Sequence, residues 1–364
     1  MRIGVFSFLA LFSRAATVAE ISAAMAENMA RPDPSAPLAP TPLPSPGPAR
    51  DSGEIIKQLM TLSRANIDSL KLVKKVEFEG DLWEPEGIVR LSHPSNGDEE
   101  RFWVSAGEYT TPTVKYPGGE WRDGTDRSAG EGFAHFVVFD GEGKRLGDWV
   151  VSEEGDIEYH NGGLDYDGQH IWATLSQYRP NTTATVVRID PVKLEMERVL
   201  RVRDHQGGIV RDTEKNTLTT LSWGGRKARL WSLDERALSS RDEQQPLTSA
   251  SEEFSSPRKE VVNPSYWIDY QDCKFLGYFE GRPVMLCSGI ATLALGVDVG
   301  GLAIVDAETM VPVWEVPFME RTAEGKRVLM TKNPMDVALV GGKLRLFFLP
   351  EEGTSTLYVY ELSG

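Results

Sequence analysis

A short sequence unit occurs five times in this chain of 364 residues, and this repetition restricts the fold more than any other feature. In each copy a polar residue and a small or conformationally special residue precede a strand-forming run. The copies begin near Glu86, His160, His205, Asp269 and Asn333. A β-unit that cannot bury its own apolar face must stack on its neighbours, as the blades of a propeller do. The sequence therefore predicts an all-β fold, a β-propeller.

The spacing of the copies bears on the number of blades. Several intervals exceed the roughly 40 to 50 residues of a typical blade. We therefore expect six four-stranded blades, with the unrecognised one between Tyr109 and Phe133 or near Ala291. A pair of β-sandwiches is the alternative architecture. Pairing of Leu72–Phe78 with Leu357–Leu362 would close the ring and remove an exposed sheet edge.

Two hairpins are legible within this pattern. The first joins residues 136–140 to 146–150 through a turn at 141–143, and the second joins 337–340 to 344–348 through two glycines. Alternating apolar residues on either side of a glycine turn are typical of antiparallel pairs.

The first 50 residues have a different composition. Arg2, an apolar run from Ile3 to Phe12 and a small-x-small pattern at Thr17 and Ala19 predict a signal peptide over residues 1–19. A mitochondrial presequence is the alternative, since no acidic residue precedes residue 20. We expect the secretory pathway or secretion. Residues 20–50, rich in proline, are expected to be a linker.

We expect a single propeller domain over residues 51–364. It begins with a helix at 51–66, because Ile55, Ile56 and Leu59 recur at helical spacing after an acidic start. That helix is expected to pack on the outside or at one end of the propeller.

Composition excludes some partners. The formal net charge is −15, which repels phosphate backbones, so we expect no nucleic-acid partner. No later apolar run approaches the roughly 20 residues of a membrane span. A small-molecule substrate is the expected partner.

Cys273 and Cys287 flank a predicted hairpin and could face one another as a disulfide; two buried thiols are the alternative. Asn181 begins an Asn-Thr-Thr glycosylation sequon, which predicts a glycoprotein if the chain enters the secretory pathway.

Polar residues that precede the inner strand of each blade converge at the mouth of a propeller channel. On this interpretation the candidate site is a ring of groups from distant parts of the chain. Each of them could instead bond the backbone of a neighbouring blade. The residues are Glu86, His160, Asn161, His205, Asp269 and Asn333.

Two loops add an aromatic and a guanidinium at blade ends. Tyr178 and Arg179 follow one strand, and Trp223 is followed by a glycine pair and an arginine. Such an arginine can hold an enolate or carboxylate through paired hydrogen bonds, while the aromatic forms an apolar wall. A surface arginine stacked on a core ring is the alternative.

The motifs of zinc proteases, serine hydrolases, phosphate-binding loops and dinucleotide-binding domains are absent from the sequence. We therefore expect no cofactor and no bound metal. The alternative is calcium, held by oxygen ligands in the channel.

Several motifs resemble those of a secreted six-bladed propeller family of largely unknown function that includes fungal hetero-Diels-Alderases of tropolone sesquiterpenoid biosynthesis. The resemblance covers about residues 70–364. It is carried by the segments 160–168, 178–181, 204–209, 222–224 and 269–273.

This resemblance implies a pericyclase that joins a tropolone ortho-quinone methide to a humulene-type sesquiterpene in secondary metabolism. No catalytic residue of that family is matched here, so the roles follow from the channel argument. His160, His205 and Asp269 would assist loss of water, and Arg179 would hold the tropolone oxygens. Tyr178, Trp223 and Tyr270 would cradle the apolar terpene.

Two other functions fit the same fold. A calcium-dependent lactonase or hydrolase, resembling senescence-marker and paraoxonase-like enzymes, would use Glu86, Asn161, Asp269 and Asn333 as ligands. A non-catalytic secreted binding propeller would show no turnover.

Overall fold

The computed structural model describes residues 52–92, 100–233, 254–264, 267–323 and 327–363. The predicted signal peptide and linker lie outside these residues. The described part of the chain contains five antiparallel sheets, arranged as the blades of a propeller. The predicted all-β propeller is therefore confirmed, whereas the prediction of six blades was wrong.

One helix and one strand precede the first complete blade. The helix α1 (Ser52–Met60) is shorter than the predicted 51–66. Its buried residues Ile55, Ile56 and Leu59 join a core cluster with residues of the fourth and fifth blades. Gln58 also accepts a hydrogen bond from the Leu344 backbone N–H over 2.8 Å. A short 3-10 turn leads into β1 (Leu70–Glu77).

The remaining strands follow in chain order, blade by blade. Blade 1 contains β2 (Glu84–Ser92), β3 (Glu100–Thr111), β4 (Glu131–Asp140) and β5 (Arg145–Val150). Blade 2 contains β6 (His160–Asn161), β7 (Asp165–Tyr166), β8 (Ile171–Ser176), β9 (Ala184–Asp190) and β10 (Glu195–Val202). Blade 3 contains β11 (Gly208–Asp212), β12 (Thr217–Leu221), β13 (Lys227–Ser232) and β14 (Lys259–Val262). Blade 4 contains β15 (Asp269–Phe279), β16 (Arg282–Thr292), β17 (Asp298–Asp306) and β18 (Pro312–Pro317). Blade 5 contains β19 (Met335–Val340), β20 (Lys343–Phe348) and β21 (Thr356–Leu362), with β1 as its fourth strand.

The long intervals between copies of the repeated sequence unit arise from features other than a sixth blade. Residues 112–130 form an extended loop between β3 and β4 of the same blade, and Ala291 lies within β16. Both predicted hairpins are confirmed as the pairs β4–β5 and β19–β20.

The ring closes as expected. β1 pairs antiparallel with β21, from Leu70 opposite Leu362 to Glu77 opposite Thr356. Blade 5 thus combines the first described strand with the last three, which joins the two ends of the ring in one sheet with β1 as its outer strand.

Buried carboxylates connect the inner strands of successive blades. Asp165 accepts the Arg211 backbone N–H of blade 3 over 2.8 Å. Asp272 accepts the Met335 N–H of blade 5, and Asp336 accepts the Arg90 N–H of blade 1 over 2.6 Å. These bonds satisfy backbone donors that face the channel, where no sheet partner is available.

Lys274 lies among these three carboxylates and donates to Asp272 over 2.6 Å. Burial raises the pKa of Asp165 to about 8 and that of Asp272 to about 7, and it also raises the pKa of Asp336. One ammonium offsets only part of the negative charge, so protonated carboxyls are favoured in this buried network.

The main core fills the spaces between blades. Trp103 and Phe136 of blade 1 pack with Leu164 and Ala173 of blade 2, for example. In blade 4, Cys273 lies directly opposite Cys287 on the neighbouring strand, and the two are joined in a disulfide. Within the described residues, no helix is long and apolar enough to cross a membrane.

Because β1 closes the ring, we expect alanine substitution at two valines of this strand to lower the free energy of unfolding by different amounts. Val76 is buried in a cluster with Leu357 and Val359, whereas Val73 is half exposed. We expect Val76→Ala to lower the free energy of unfolding by about 2 kcal/mol, because burial and packing are lost. Val73→Ala, the matched control, should change it by less than about 0.5 kcal/mol. Denaturant unfolding measures both values, and equal costs would show that β1 contributes little to closure.

The buried carboxylates predict a pH dependence of stability. A folded-state pKa raised above the unfolded value means that the folded state binds more protons, so stability falls as pH rises through the folded pKa. Asp165→Asn keeps the hydrogen-bond acceptor and removes the ionisation. Its free energy of unfolding should therefore decline less than that of the unmodified protein between about pH 5 and pH 9.

Denaturant unfolding at several pH values measures this slope. Asp68→Asn, which changes an exposed carboxylate, is the control and should leave the slope unchanged. Identical slopes for Asp165→Asn and the unmodified protein would contradict the prediction.

Candidate functional site

Three ligating side chains meet at the channel mouth. Glu84 and Glu86 lie on β2, and His160 lies on β6 of the next blade. One ligand atom from each of the three lies within 4.8 Å of the other two. The His160 Nε2 atom is 4.0 Å from the Glu86 carboxylate, and the two side chains are 3% and 12% exposed. This is a compact group of two partly buried carboxyls and one buried imidazole.

Burial sets the protonation of these groups. It raises the pKa of Glu84 to about 7 and that of Glu86 well above its usual range, with neighbouring carboxylates adding to both shifts. It lowers the pKa of His160 well below the usual value, and His205 adds to that shift. Burial also lowers the pKa of His205 to about 3. Without a cation in the group, neutral imidazoles beside protonated carboxyls are favoured.

A chain of aromatic rings surrounds this group. Tyr178 lies 5.4 Å from Tyr109, 4.4 Å from His160 and 5.2 Å from Trp223, measured between ring centroids. His205 lies 4.8 Å from the Trp223 ring. The Tyr178 hydroxyl donates to Glu84 over 3.3 Å. Loops from blades 1, 2 and 3 thus form one aromatic wall.

Arg127 supplies the guanidinium at this wall. It comes from the 112–130 loop and lies 4.7 Å from the Trp223 ring centroid and 5.8 Å from that of Tyr178. Asp126 accepts two hydrogen bonds from it. The loop is anchored, since Asn181 donates to the Gly124 carbonyl and the Tyr159 hydroxyl to the Ala129 carbonyl.

A cleft of about 440 Å³ opens beside Glu84. Trp83, Tyr109, Tyr178 and Pro112 form its apolar lining, while Glu84 and Glu352 supply carboxylates. The cleft lies where the aromatic wall meets the Glu84 carboxyl. An apolar cleft with a few polar groups is typical of a small-molecule site.

The structure brings together five of the residues singled out in the sequence. Their contacts run from Glu86 through His160 and Tyr178 to Trp223 and His205. His205 is held by the Gln177 carbonyl, which lies 3.2 Å from its Nδ1 atom.

The other five candidates are engaged elsewhere. Arg179 donates twice to the Gln177 side chain, and Asp269 forms a partly exposed ion pair with Arg226. Tyr270 lies in the core between blades 3 and 4. Asn161 donates to the His135 carbonyl of blade 1, and Asn333 to the Pro350 carbonyl. The alternative of a bond to the backbone of a neighbouring blade therefore describes Asn161, whereas Asn333 bonds the backbone of its own blade.

These contacts also bear on the calcium ligands considered above. Of the two carboxylates in that set, Glu86 joins the ligating group at the mouth and Asp269 does not. The described contacts do not assemble the other three around it.

Sequence reasoning missed Glu84, Tyr109 and Arg127. Glu84 carried a usable indication, because residues two apart on a strand share one face and Glu86 was already a candidate. No sequence pattern indicated Arg127, since it lies in a long loop where an additional blade is expected from the sequence.

The glycine pair after His160 serves packing between blades. A Cβ atom on Gly162 would come within 3.0 Å of the Gly207 carbonyl before blade 3, and one on Gly163 within 2.6 Å of the Asp272 carboxylate of blade 4. Glycine at both positions therefore allows the neighbouring blades to approach this closely.

Fold and site together define a five-bladed β-propeller with a polar and aromatic group at one mouth of its channel. Within that class, the chain belongs to DUF6454, a family of unknown function whose model matches residues 118–363.

Several solved structures match the chain at low identity and with TM-scores below 0.5. A hypothetical protein from Leishmania major is 11% identical, with 82% of this chain and 93% of that chain covered and a TM-score of 0.44. The major Malassezia sympodialis allergen Mala s 1 is 8% identical, with 80% and 96% covered and a TM-score of 0.38. The calcium-binding protein regucalcin from Agrobacterium tumefaciens is 10% identical, with 80% and 96% covered and a TM-score of 0.38. No curated protein matches this sequence.

We expect the free energy of unfolding to respond differently when the neighbouring residues Tyr178 and Tyr109 each lose the hydroxyl group. Tyr178→Phe removes the donor to Glu84, so we expect the free energy of unfolding to fall by about 1 to 3 kcal/mol. The Tyr109 hydroxyl is buried without a partner among the described residues. Tyr109→Phe should therefore be neutral or stabilising. Denaturant unfolding measures both, and a larger loss for Tyr109→Phe would contradict this assignment of hydrogen bonds.

Proposed function

We propose that the channel mouth is the active site of an enzyme that acts on a small molecule with an extended apolar part and an oxygen-rich head. The observation that carries this proposal is the buried Glu84–Glu86–His160 group beside an aromatic cleft. Buried polar groups are costly to place in a protein and are usually fully bonded, so their concentration beside an open cleft favours a functional role.

The cleft is suited to the apolar part of the substrate. Trp83, Tyr109 and Tyr178 present ring faces along it. Aromatic side chains bury a large area at a low cost in conformational entropy, and they suit flat or polyene ligands.

The oxygen-rich head would lie toward Glu84 and Arg127. Arg127 replaces the sequence candidate Arg179 in this role, because its guanidinium lies against the aromatic wall. A fixed guanidinium in a dry site stabilises negative charge that develops on oxygen.

The specific reaction that we propose is hetero-Diels-Alder addition of a tropolone ortho-quinone methide to a humulene-type sesquiterpene. Loss of water from a hydroxymethyl tropolone gives the quinone methide, and the [4+2] step then joins all atoms of both partners. This step needs no electron transfer. Its catalysis rests on holding the two partners in a reactive pose, which can supply about 7 to 11 kcal/mol of the barrier.

Purified protein incubated with a hydroxymethyl tropolone and humulenol tests this reaction by chiral chromatography of the adduct. We expect one stereoisomer to form faster than in the protein-free mixture. An adduct with the background rate and isomer ratio would contradict the pericyclase. Saturable binding of the tropolone without acceleration would instead identify a binding propeller.

A pair of tryptophan variants tests the location of the site. Trp223→Leu removes a ring of the wall, and we expect at least about a tenfold loss in the rate of adduct formation, because the reactive pose is lost. Trp121→Leu is the matched control, since Trp121 is 60% exposed on the 112–130 loop. Equal rates for the two variants would place the reaction elsewhere.

A further inference from the structure

The Glu84–Glu86–His160 group has the composition of a metal site. Two carboxylates and one imidazole offer two oxygens and one nitrogen within 4.8 Å of one another. Ligands of one bound ion lie about 3 to 3.5 Å apart, so shifts of less than about 1 Å would bring the three into range. Among the described residues, this is the cluster with three such ligands.

A second observation points to a missing partner. His160 is 3% exposed, and its Nδ1 atom has no hydrogen-bond partner in the described part of the chain. Its Nε2 atom faces Glu86 at 4.0 Å, which is beyond hydrogen-bond distance. The Glu84 Oε2 atom is also buried without a partner among these residues. The Nε2 atom, which faces Glu86, is the nitrogen that would bind an ion, and the buried Glu84 Oε2 atom would gain a partner in the same ion.

Among the described residues, no lysine or arginine side chain forms an ion pair with either carboxylate. The contact from a basic group is that of the His160 imidazole, whose Nε2 atom lies 4.0 Å from Glu86. The neighbouring Lys332 is close enough to interact with both carboxylates, but its direct ion pair is with Glu352. The two partly buried carboxylates therefore have no direct ion pair with a lysine or arginine of the described residues, and a divalent cation would provide one.

We propose that Glu84, Glu86 and His160 bind one divalent first-row transition-metal ion. The mixed nitrogen and oxygen ligands favour Zn²⁺, Mn²⁺ or Co²⁺ over Ca²⁺, which prefers oxygen ligands alone. Three protein ligands leave at least one coordination position open, as in catalytic rather than structural sites.

Glu84 also lines the cleft, so an ion held by this group would be reached from the cleft. This step rests on the proposed function. A substrate head with two adjacent oxygens, such as a tropolone, would occupy the open positions as a bidentate ligand. The ion would then orient the head and withdraw electron density from it.

Metal binding is tested without any organic ligand. The full chain, prepared without a histidine tag and treated with chelator, is titrated with Zn²⁺, Mn²⁺, Co²⁺ and Ca²⁺ by calorimetry. We expect one transition-metal ion per chain and much weaker binding of Ca²⁺. Glu86→Gln and His160→Gln should each weaken Zn²⁺ binding by about tenfold or more, because each removes one ligand.

Matched controls and a spectrum separate a ligand role from a fold defect. Glu142→Gln and His170→Gln change the same residue types outside the group, with Glu142 exposed in the turn between β4 and β5, and both variants should bind Zn²⁺ like the unmodified protein. Visible absorption of the Co²⁺ form should change in Glu84→Gln, whose circular dichroism shows whether the fold is kept. Failure of the unmodified protein to bind stoichiometric metal, or equal Zn²⁺ affinity in all variants, would overturn the proposal.

The two proposals fail separately. Stoichiometric metal without accelerated adduct formation would retain the metal site and reject the pericyclase. Accelerated adduct formation by a protein that binds no metal would retain the pericyclase and reject the metal site.

Discussion

The pairing of β1 with β21 is the contact on which the rest of the structure depends. It joins residues 70–77 to the last strand of the chain and completes the fifth blade. A propeller without this pair would expose an edge of blade 5 and would leave the first and last blades free to separate. Closure holds blades 1, 2 and 3 at fixed positions around the channel. Glu84, His160 and Trp223, which are far apart in the sequence, therefore meet at one mouth.

A closed channel also imposes a requirement on the groups that line it. Polar atoms inside it are removed from solvent and must find partners within the protein. Some of them do so, as in the bonds from Asp165, Asp272 and Asp336 to the next inner strand. Others are buried without a partner among the described residues, such as the second oxygen of Asp272 and, at the mouth, atoms of Glu84 and His160. The atoms at the mouth differ from the rest because Glu84 also lines the aromatic cleft, and this combination is the basis of the functional proposal.

Much of the fold was predictable because β-structure leaves a local pattern. The two hairpins and the closing strand pair follow from alternation and from glycine turns, and all three are confirmed. The blade number was wrong because the 112–130 loop and the long strands of blade 4 lengthen the repeat. Of the candidate residues, His160 and His205 meet at the mouth, whereas Asp269 turns to Arg226. Equivalent repeat positions do not impose equivalent side-chain directions, since each blade has different neighbours to pair with.

The sequence by itself determined the class of fold, the two hairpins and the presence of polar groups before the inner strands. Those properties depend on periodicity and turn chemistry, which are local along the chain. Only the tertiary structure decided which of those groups share a site. It joined Glu84 to Glu86 and His160, placed Arg127 over Trp223, and assigned Asn161 and Asn333 to backbone bonds. The physical reason is that these contacts cross blades, so they depend on packing distances over long separations that no local pattern records.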